Sequence, residues 1–310
     1  MNEPYLSVVF ITYNHERYIR EALDSVLMQE TDFPFEIVVG EDCSTDHTRD
    51  ILNEYKEKYP DRIRLLYRDR NLGRPTLNVY QTAMECRGKY IAFLEGDDFW
   101  TDPEKLKKQV HFLEEHDEYE AVTHASRLVG EDGKPLSDQT PLTLYHWSGD
   151  YTFEDFKRKP YWPGQTASVV TRNFWHDGRY DYTILYRAHD FIDDAVILLF
   201  MLLHGKIFRM EEEMSVWRYV SKDDGESWNS INRKRKQKLE DCEMKCTMLK
   251  WCEENVGLTE FGKAKAKSDF KYSLSVFLRN PSIRSFKMVC RVFRYNILHV
   301  TLGIGKVKMQ

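Results

Sequence analysis

The sequence predicts an α/β fold: a mostly parallel sheet flanked by helices, followed by a helical C-terminal extension. Two observations carry that expectation. Short apolar, β-branched runs alternate with helical periodicities through the first 115 residues, and such alternation lays consecutive strands side by side with helices on both faces. The runs are also bounded by turn-forming and acidic residues, as buried strands are. Leu6–Thr12 (LSVVFIT), Phe35–Val39, Ile63–Tyr67 and Tyr90–Leu94 read as the strands. Between the first two, Glu16–Met28 places Tyr18, Ile19, Ala22, Leu23, Val26 and Leu27 at helical spacing. Ser44 or Thr45 is positioned to cap a helix carrying Ile51, Leu52 and Tyr55, and Val79–Cys86 has a helical pattern. Asp102-Pro103, a capping residue followed by proline, opens a helix running to Glu115. Ala121–Val129 reads as a further strand, Gly130–Gly149 is turn-rich, and Ala195–Leu203 is a dense apolar run. Residues 232–256 form a charged helix in this reading, and 264–302 one or two amphipathic helices broken at Asn280-Pro281.

At 310 residues the chain is long enough for one large α/β unit and an appendage. Charge marks a division near residue 230. Residues 231–310 hold 18 Lys+Arg against 7 Asp+Glu, which leaves residues 1–230 near −16 within a net charge of −5. The acidic part argues against nucleic acid. The basic part suits an anionic surface, or is a solvated helix face. No run approaches the ~20 apolar residues of a membrane span, and Met1-Asn2-Glu3-Pro4 offers neither the basic nor the apolar region of a secretory signal. Cys43, Cys86, Cys242, Cys246, Cys252 and Cys290 show no C-x-x-C spacing and no interleaved histidine. A reduced, cytoplasmic protein without disulfides or zinc is the expectation.

Sheets of this kind bind ligands beyond the carboxyl ends of their strands. There the sequence is chemically unusual: Thr12-Tyr13-Asn14 after the first strand, Glu41-Asp42-Cys43-Ser44-Thr45-Asp46 after the second, Glu95-Gly96-Asp97-Asp98-Phe99-Trp100 after the fourth. A single Asp-Asp in a loop is usually a solvated turn. Repetition at successive strand ends is different, because carboxylates crowded together repel unless a cation sits among them. Oxygen-only ligands favour Mg²⁺ or Mn²⁺, and Mg²⁺ typically completes its shell with phosphate. A diphosphate is the inferred ligand. No G-x-G-x-x-G follows the first strand and no G-x-x-x-x-G-K-[ST] occurs, so nicotinamide enzymes and P-loop NTPases lack their signatures.

SVVFITYNHERYIREALDSVLMQ, EIVVGEDCSTDHT, RNLG and GKYIAFLEGDDFW, in that order, resemble glycosyltransferase family 2. That resemblance implies a GT-A nucleotide-diphospho-sugar fold and an inverting, metal-dependent transfer from a nucleotide sugar, a UDP-sugar in preference, to a saccharide or lipid-linked hydroxyl in bacterial surface-polysaccharide synthesis. The family's D-x-D stands here as Glu95-Gly96-Asp97, and the first of its two aspartates after the second strand as Glu41. By resemblance Thr12 and Tyr13 hold the nucleobase, Asp42 accepts a hydrogen bond from it, and Glu95 contacts ribose. Asp97 with Asp98 meets Mn²⁺ or Mg²⁺. Asn14, Glu41, Asn71 and Gly96 complete the donor side, and Arg68 either lines it or is a surface arginine. The acceptor hydroxyl needs a base. Asp194, with Asp193 and Asp190 as rivals, precedes the apolar run and lies eleven residues before Gly205-Lys206-Ile207; a helix N-terminus there would stabilise a carboxylate.

The resemblance also implies an aromatic-Arg pair before a closing loop, here Trp217-Arg218-Tyr219 and Ser221–Ser230, with Arg218 on the diphosphate or in a structural ion pair. Trp228 is a candidate sugar platform, and His124, Trp162 and Gln165 candidate acceptor contacts. Domains follow as 1–230 catalytic, comprising a nucleotide half to 115 and an acceptor half from 116, and 231–310 a basic helical extension. In that extension Arg279, Arg284, Lys287, Arg291 and Arg294 alternate with Phe277, Phe286, Val289, Val292 and Phe293. This pattern suits peripheral contact with an anionic membrane at the cytoplasmic face, or a helix packed on the catalytic unit. Two rival functions remain open at this level: a sugar-nucleotide nucleotidyltransferase, which lacks its Gly-rich basic loop here, and a non-catalytic nucleotide-sugar-binding protein.

Overall fold

The computed structural model describes residues 3–136, 148–158, 162–191, 194–219, 237–257, 263–279 and 281–294. Four strands, β1 (Leu6–Thr12), β2 (Phe35–Glu41), β3 (Ile63–Tyr67) and β4 (Tyr90–Glu95), pair in parallel in the order β3-β2-β1-β4. The sheet then turns mixed. β5 (Phe99–Trp100), β6 (Tyr119–Gly130), β7 (Gly149–Tyr151), β8 (Val170–Arg172) and β9 (Lys206–Tyr219) extend it as β4-β8-β6-β9-β5, with β7 also on β9. Only β6–β9 is a parallel pair in this half. The order carries the carboxyl ends of β1, β2 and β4 to one edge of the sheet.

β1, β2 and β4 bury both faces, which is why their sequences read as continuous apolar runs, whereas β3 at the sheet edge buries only Ile63 fully. On one side Leu6, Val8 and Phe10 of β1 pack with Ile19, Leu23 and Val26 of α1 (Ile19–Leu27) and with Leu106 and Val110 of α4 (Lys105–Glu115). α2 (Thr48–Lys58) adds Ile51 and Leu52 to that layer. On the other side Val9 and Val38 meet Val79 and Ala83 of α3 (Pro75–Ala83). α5 (Phe153–Arg158), α6 (Ile184–Ala188) and α7 (Asp194–His204) complete this second layer through Phe156, Leu185, Val196, Leu199 and Phe200. Burying one such side chain contributes roughly 1.5–3 kcal/mol.

The last helices, α8 (Gln237–Val256), α9 (Lys263–Arg279) and α10 (Ile283–Val292), share that second core. Cys246, Met248, Leu249, Trp251 and Cys252, with Met288 and Val292, are buried in the same cluster as Phe174 and Phe200. The Trp251 ring lies 5.7 Å from Tyr180 and 5.5 Å from Phe200. The five free cysteines described, Cys43, Cys86, Cys246, Cys252 and Cys290, form no disulfide.

Four helix starts differ from expectation. α1 begins at Ile19, not Glu16, and α3 at Pro75, not Val79, with proline in its first turn. α2 begins at Thr48, because the Asp46 carboxylate accepts the Thr48 N–H at 2.9 Å, while the Ser44 hydroxyl accepts the Asn14 N–H at 3.0 Å and ties two loops together. α4 begins at Lys105, after a turn in which the Asp102 carboxylate accepts the Glu104 N–H at 2.8 Å. Residues 137–147 of the turn-rich stretch, 232–236, Asn280 and 295–302 lie outside the described residues.

Glu120, at the start of β6, gives the fold a pH dependence. Burial pushes its carboxyl up to about 8, against the pull of Arg172 and the Thr171 hydroxyl. The folded chain thus holds a proton that the unfolded chain releases near 4.5. Its contribution to stability is complete below about pH 4.5 and is lost as pH rises towards about 8. Glu120→Gln carries no titrating proton there. It should therefore gain stability relative to the parent between about pH 5 and pH 8, by up to about 1.4 kcal/mol per pH unit. Denaturant melts at the two pH values check this; an unchanged difference contradicts it.

Candidate active site

The loops after β1 and β2 are knitted into one wall. Thr12 accepts the Asp42 N–H on its carbonyl at 3.0 Å. Asn14 and Cys43 both hold left-handed backbone, φ 54° and 61°, and are the two non-glycine residues with positive φ among the described residues. Such conformations cost energy and persist where surrounding structure enforces them. Here the Asn14 side-chain oxygen accepts the Thr45 N–H at 2.8 Å. Tyr13 follows Thr12 half-buried on this wall.

Glu41, expected on the donor side, instead turns inward. It is fully buried, accepts N–H groups from Cys43 and Ser44 at 3.2 and 2.5 Å, and is ion-paired with Arg49. It shapes the turn that presents Asp42. Asp42 is 5% exposed and accepts the Leu72 N–H at 2.9 Å. Burial pushes its carboxyl above the usual range, against the pull of Leu72 and Arg68. Asn71 donates to the Asp42 carbonyl at 3.2 Å. Arg68 is half-buried and donates to Asn78 and Thr82 of α3 at 3.0 and 3.2 Å.

The loop after β4 carries the acids. Glu95, Asp97 and Asp98 each offer a carboxylate oxygen, and these atoms lie within 4.8 Å of one another. Glu95 is raised well above the ordinary carboxylate range, first by burial and then by the charges of Asp97, Asp98 and Asp194. Asp98 is raised likewise, by burial and then by Asp97. Mutual repulsion of this kind is what a bound cation relieves, and the all-oxygen donor set fits a hard divalent ion. Asp98 also ties the loop to its neighbours. It is 1% exposed, and its oxygens accept the Arg218 backbone N–H and the Gln165 amide, both at 2.8 Å. A Cβ at Gly96 would stand 2.7 Å from both Thr12 Oγ1 and His15 Nδ1, so any other residue there would displace these two side chains. His15 is a site residue that no sequence motif singled out; its only signal is its place directly after Asn14.

Asp194 opens α7 and is exposed. Its charge is the smallest of the effects that raise Glu95, so the α7 N-terminus lies within electrostatic reach of the acidic loop but outside the three-carboxylate group. Asp190 is paired with Arg74 at 2.6 Å, and Asp193 lies outside the described residues, as do Trp228 and the loop Ser221–Ser230. His124 and Trp162, expected at the acceptor, are buried instead. His124 lies inside β6 with Nδ1 2.8 Å from the Ala125 carbonyl, and burial holds its ring well below the usual range. Trp162 belongs to the second core. Trp217 and Tyr219 are half-buried on β9.

Arg218, expected on the diphosphate or in a structural ion pair, forms an ion pair with Glu21 and clamps neighbouring loops in this conformation. Its side chain is 3% exposed. It donates to the Asp97 carbonyl at 3.0 Å, to the Glu131 carbonyl at 3.4 Å and to Glu21 at 2.5 Å, and its guanidinium lies 4.7 Å from the Tyr18 ring centroid. Arg218→Ala should therefore cost about 2–3 kcal/mol of stability, read as a lower unfolding midpoint without ligand. An unchanged midpoint together with weakened diphosphate binding would restore the donor role.

Comparison with known proteins agrees with this architecture. The profile of glycosyl transferase family 2 matches residues 7–174. The uncharacterized protein Rv1520 of Mycobacterium tuberculosis is 36% identical over 222 residues, which cover 69% of this chain and 58% of that protein. The putative teichuronic acid biosynthesis glycosyltransferase TuaG of Bacillus subtilis is 39% identical over 135 residues, 43% of this chain and 51% of TuaG. The chain thus spans little more than half the length of these relatives. Among solved structures, Staphylococcus aureus TarS 1-349 in complex with UDP-GlcNAc superposes with a TM-score of 0.64 over 95% of this chain and 81% of that one, at 18% identity, a likeness of fold. With the family profile spanning more than half of its length and the acids at the carboxyl ends of its parallel strands, this chain belongs to glycosyl transferase family 2.

Proposed function

We propose that this chain is an inverting transferase that moves one sugar from a uridine diphosphate donor to a hydroxyl of a saccharide or lipid-linked acceptor in cell-surface polysaccharide synthesis. One observation carries the reading: the loops after β1, β2 and β4 converge, so that Asp42, Glu95 and Asp97 share an edge to which α7 brings Asp194. The wall of Thr12, Tyr13 and Asp42 suits a nucleobase, with Asp42 accepting the N3–H of uracil. The names of TarS, a poly(ribitol-phosphate) β-N-acetylglucosaminyltransferase crystallised with UDP and UDP-GlcNAc, and of TuaG support the donor and the polymer class.

Asp97, with Glu95 and Asp98 beside it, would hold Mn²⁺ or Mg²⁺. When bound, the ion neutralises charge that builds on the departing diphosphate. Asp194 takes the proton of the acceptor hydroxyl as its oxygen bonds to the anomeric carbon. The bond from that carbon to the phosphate oxygen breaks with its electron pair on the nucleotide, and the sugar inverts in one step. The exposed placement of Asp194 on the first turn of α7 leaves it open to an acceptor.

The extension supplies a surface for the same chemistry. Leu278, Ile283 and Phe286 are 69%, 77% and 54% exposed around the α9–α10 junction, flanked by exposed Arg279, Arg284, Lys287 and Arg291. From Phe270 to Gln310 the sequence holds eight Lys+Arg and no Asp or Glu. Exposed apolar side chains ringed by cations fit an anionic bilayer, each cation adding about 1 kcal/mol near such a surface. Among the described residues no helix is long and apolar enough to cross a membrane.

Thermal-shift panels of nucleotide sugars test the donor: UDP-sugars with Mn²⁺ should raise the melting temperature most. Asp97→Ala should remove the metal-dependent part. Asp194→Asn should bind donor like the parent while turnover falls by about 10²–10⁴. Turnover retained in both variants would refute these roles. In sedimentation with vesicles, the parent should bind phosphatidylglycerol and ignore phosphatidylcholine, and the pair Ile283→Asp and Phe286→Asp should abolish binding. Equal binding to both vesicles, or undiminished binding by the double variant, would contradict the membrane surface.

A further inference from the structure

We infer that His15 is a donor-contacting residue whose Nε2–H hydrogen-bonds the diphosphate that Asp97 helps to hold. The inference rests on the donor reading proposed above. His15 stands where the nucleobase wall meets the acidic loop. Its backbone is fixed before any ligand arrives: its N–H donates to Thr48 Oγ1 at 2.9 Å, and its carbonyl accepts the N–H groups of Tyr18 and Ile19, both at 2.9 Å, at the start of α1. Its ring is fixed as well, with Nδ1 3.2 Å from the buried Thr12 hydroxyl. The absent side chain at Gly96 provides the slot for that ring.

What remains is Nε2. It lies 4.0 Å from Asp97 Oδ2, too far for a hydrogen bond. No described residue offers it a closer acceptor, and a quarter of the side chain is open to solvent, 24%. With the Thr12 hydroxyl donating to Nδ1, the neutral ring carries its proton on Nε2; the imidazolium carries one there too. This direction of the Thr12 bond makes Nε2 an N–H donor in both forms, next to a carboxylate in the acidic cluster; a neutral ring protonated on Nδ1 would present Nε2 as an acceptor instead. An anion is the partner that such a donor lacks. A phosphate oxygen is the anion the adjoining site is built to receive, and a hydrogen bond to it would be charge-assisted. His15 and Asp97 would thus fix the leaving group together, one through a hydrogen bond and the other through the ion.

Binding of UDP and of uridine to the parent, His15→Ala and His15→Gln in the presence of Mn²⁺ tests this. Unliganded melting curves confirm that each variant is folded. His15→Ala should weaken UDP at least about tenfold, or 1.4 kcal/mol, and leave uridine within about twofold. His15→Gln, which keeps an N–H near the position of Nε2 and a partner for Thr12 should the alanine variant unfold, should recover UDP binding to within about threefold of the parent. UDP binding unchanged in His15→Ala would overturn the inference, as would an equal loss for uridine and UDP, which would mark His15 as a scaffold for the nucleobase wall. A parent protein that binds no nucleoside diphosphate with Mn²⁺ would defeat the donor reading itself and this inference with it. A parent that binds UDP, with His15→Ala its equal, would defeat the inference alone.

Discussion

Three carboxylates held within 4.8 Å of one another at the edge of the sheet are the constraint around which the rest of the molecule is arranged. Like charges at that spacing cannot all ionise in a partly desolvated loop without a compensating cation. A loop free to relax would simply separate them. This loop is not free: β4 is buried on both faces, and Asp98 is locked from opposite sides by Gln165 and by the backbone of β9. The repulsion is therefore relieved by protons on Glu95 and Asp98, or by the proposed divalent ion.

The neighbouring elements serve that arrangement. Glu41 and Arg49 form a buried ion pair that shapes the turn below Asp42, and Arg49 also donates to the Arg68 carbonyl at 2.7 Å. Arg218 reaches from β9 to the Asp97 carbonyl and to Glu21 of α1, so β9 is bound to the helix that follows the Thr12-Tyr13-Asn14 loop. At the far end of α7, His204 is 2.8 Å from Asp177 and packs on Phe174. That anchorage fixes the helix whose first residue is Asp194. Polar residues unusual for a core are thus joined through hydrogen bonds to the residues proposed to meet donor and acceptor.

Much of this was legible in the sequence, and the exceptions have physical reasons. β1 begins and ends where its apolar run does, because a strand buried on both faces carries an unmixed signal; β3 also has the expected bounds, although only Ile63 of it is fully buried. β5, β7 and β8 hold two or three residues each, too few for any periodicity. β9 is long, yet Glu211, Glu212 and Glu213 interrupt its middle and hide the alternation. At the site, acids placed after successive strands revealed the convergence of Asp42, Glu95 and Asp97. Residue type does not tell which way a side chain turns, so Glu41 and His124 read as ligand contacts although one is paired with Arg49 and the other lies inside β6, and Arg218 read equally as a diphosphate contact or a structural ion pair. His15 was silent for the opposite reason: a single histidine has no signature, and its importance appears only when Gly96 and Thr12 close around it.

The most direct measurement is anomalous diffraction at the manganese edge from crystals grown with UDP and Mn²⁺. The expected result is one peak about 2.0–2.2 Å from a carboxylate oxygen of Asp97 and from oxygens of the diphosphate, with uracil against Asp42. UDP bound in that cleft with no metal at Asp97, or a metal peak on other residues, would contradict the central claim that these acids grip the donor through a divalent ion.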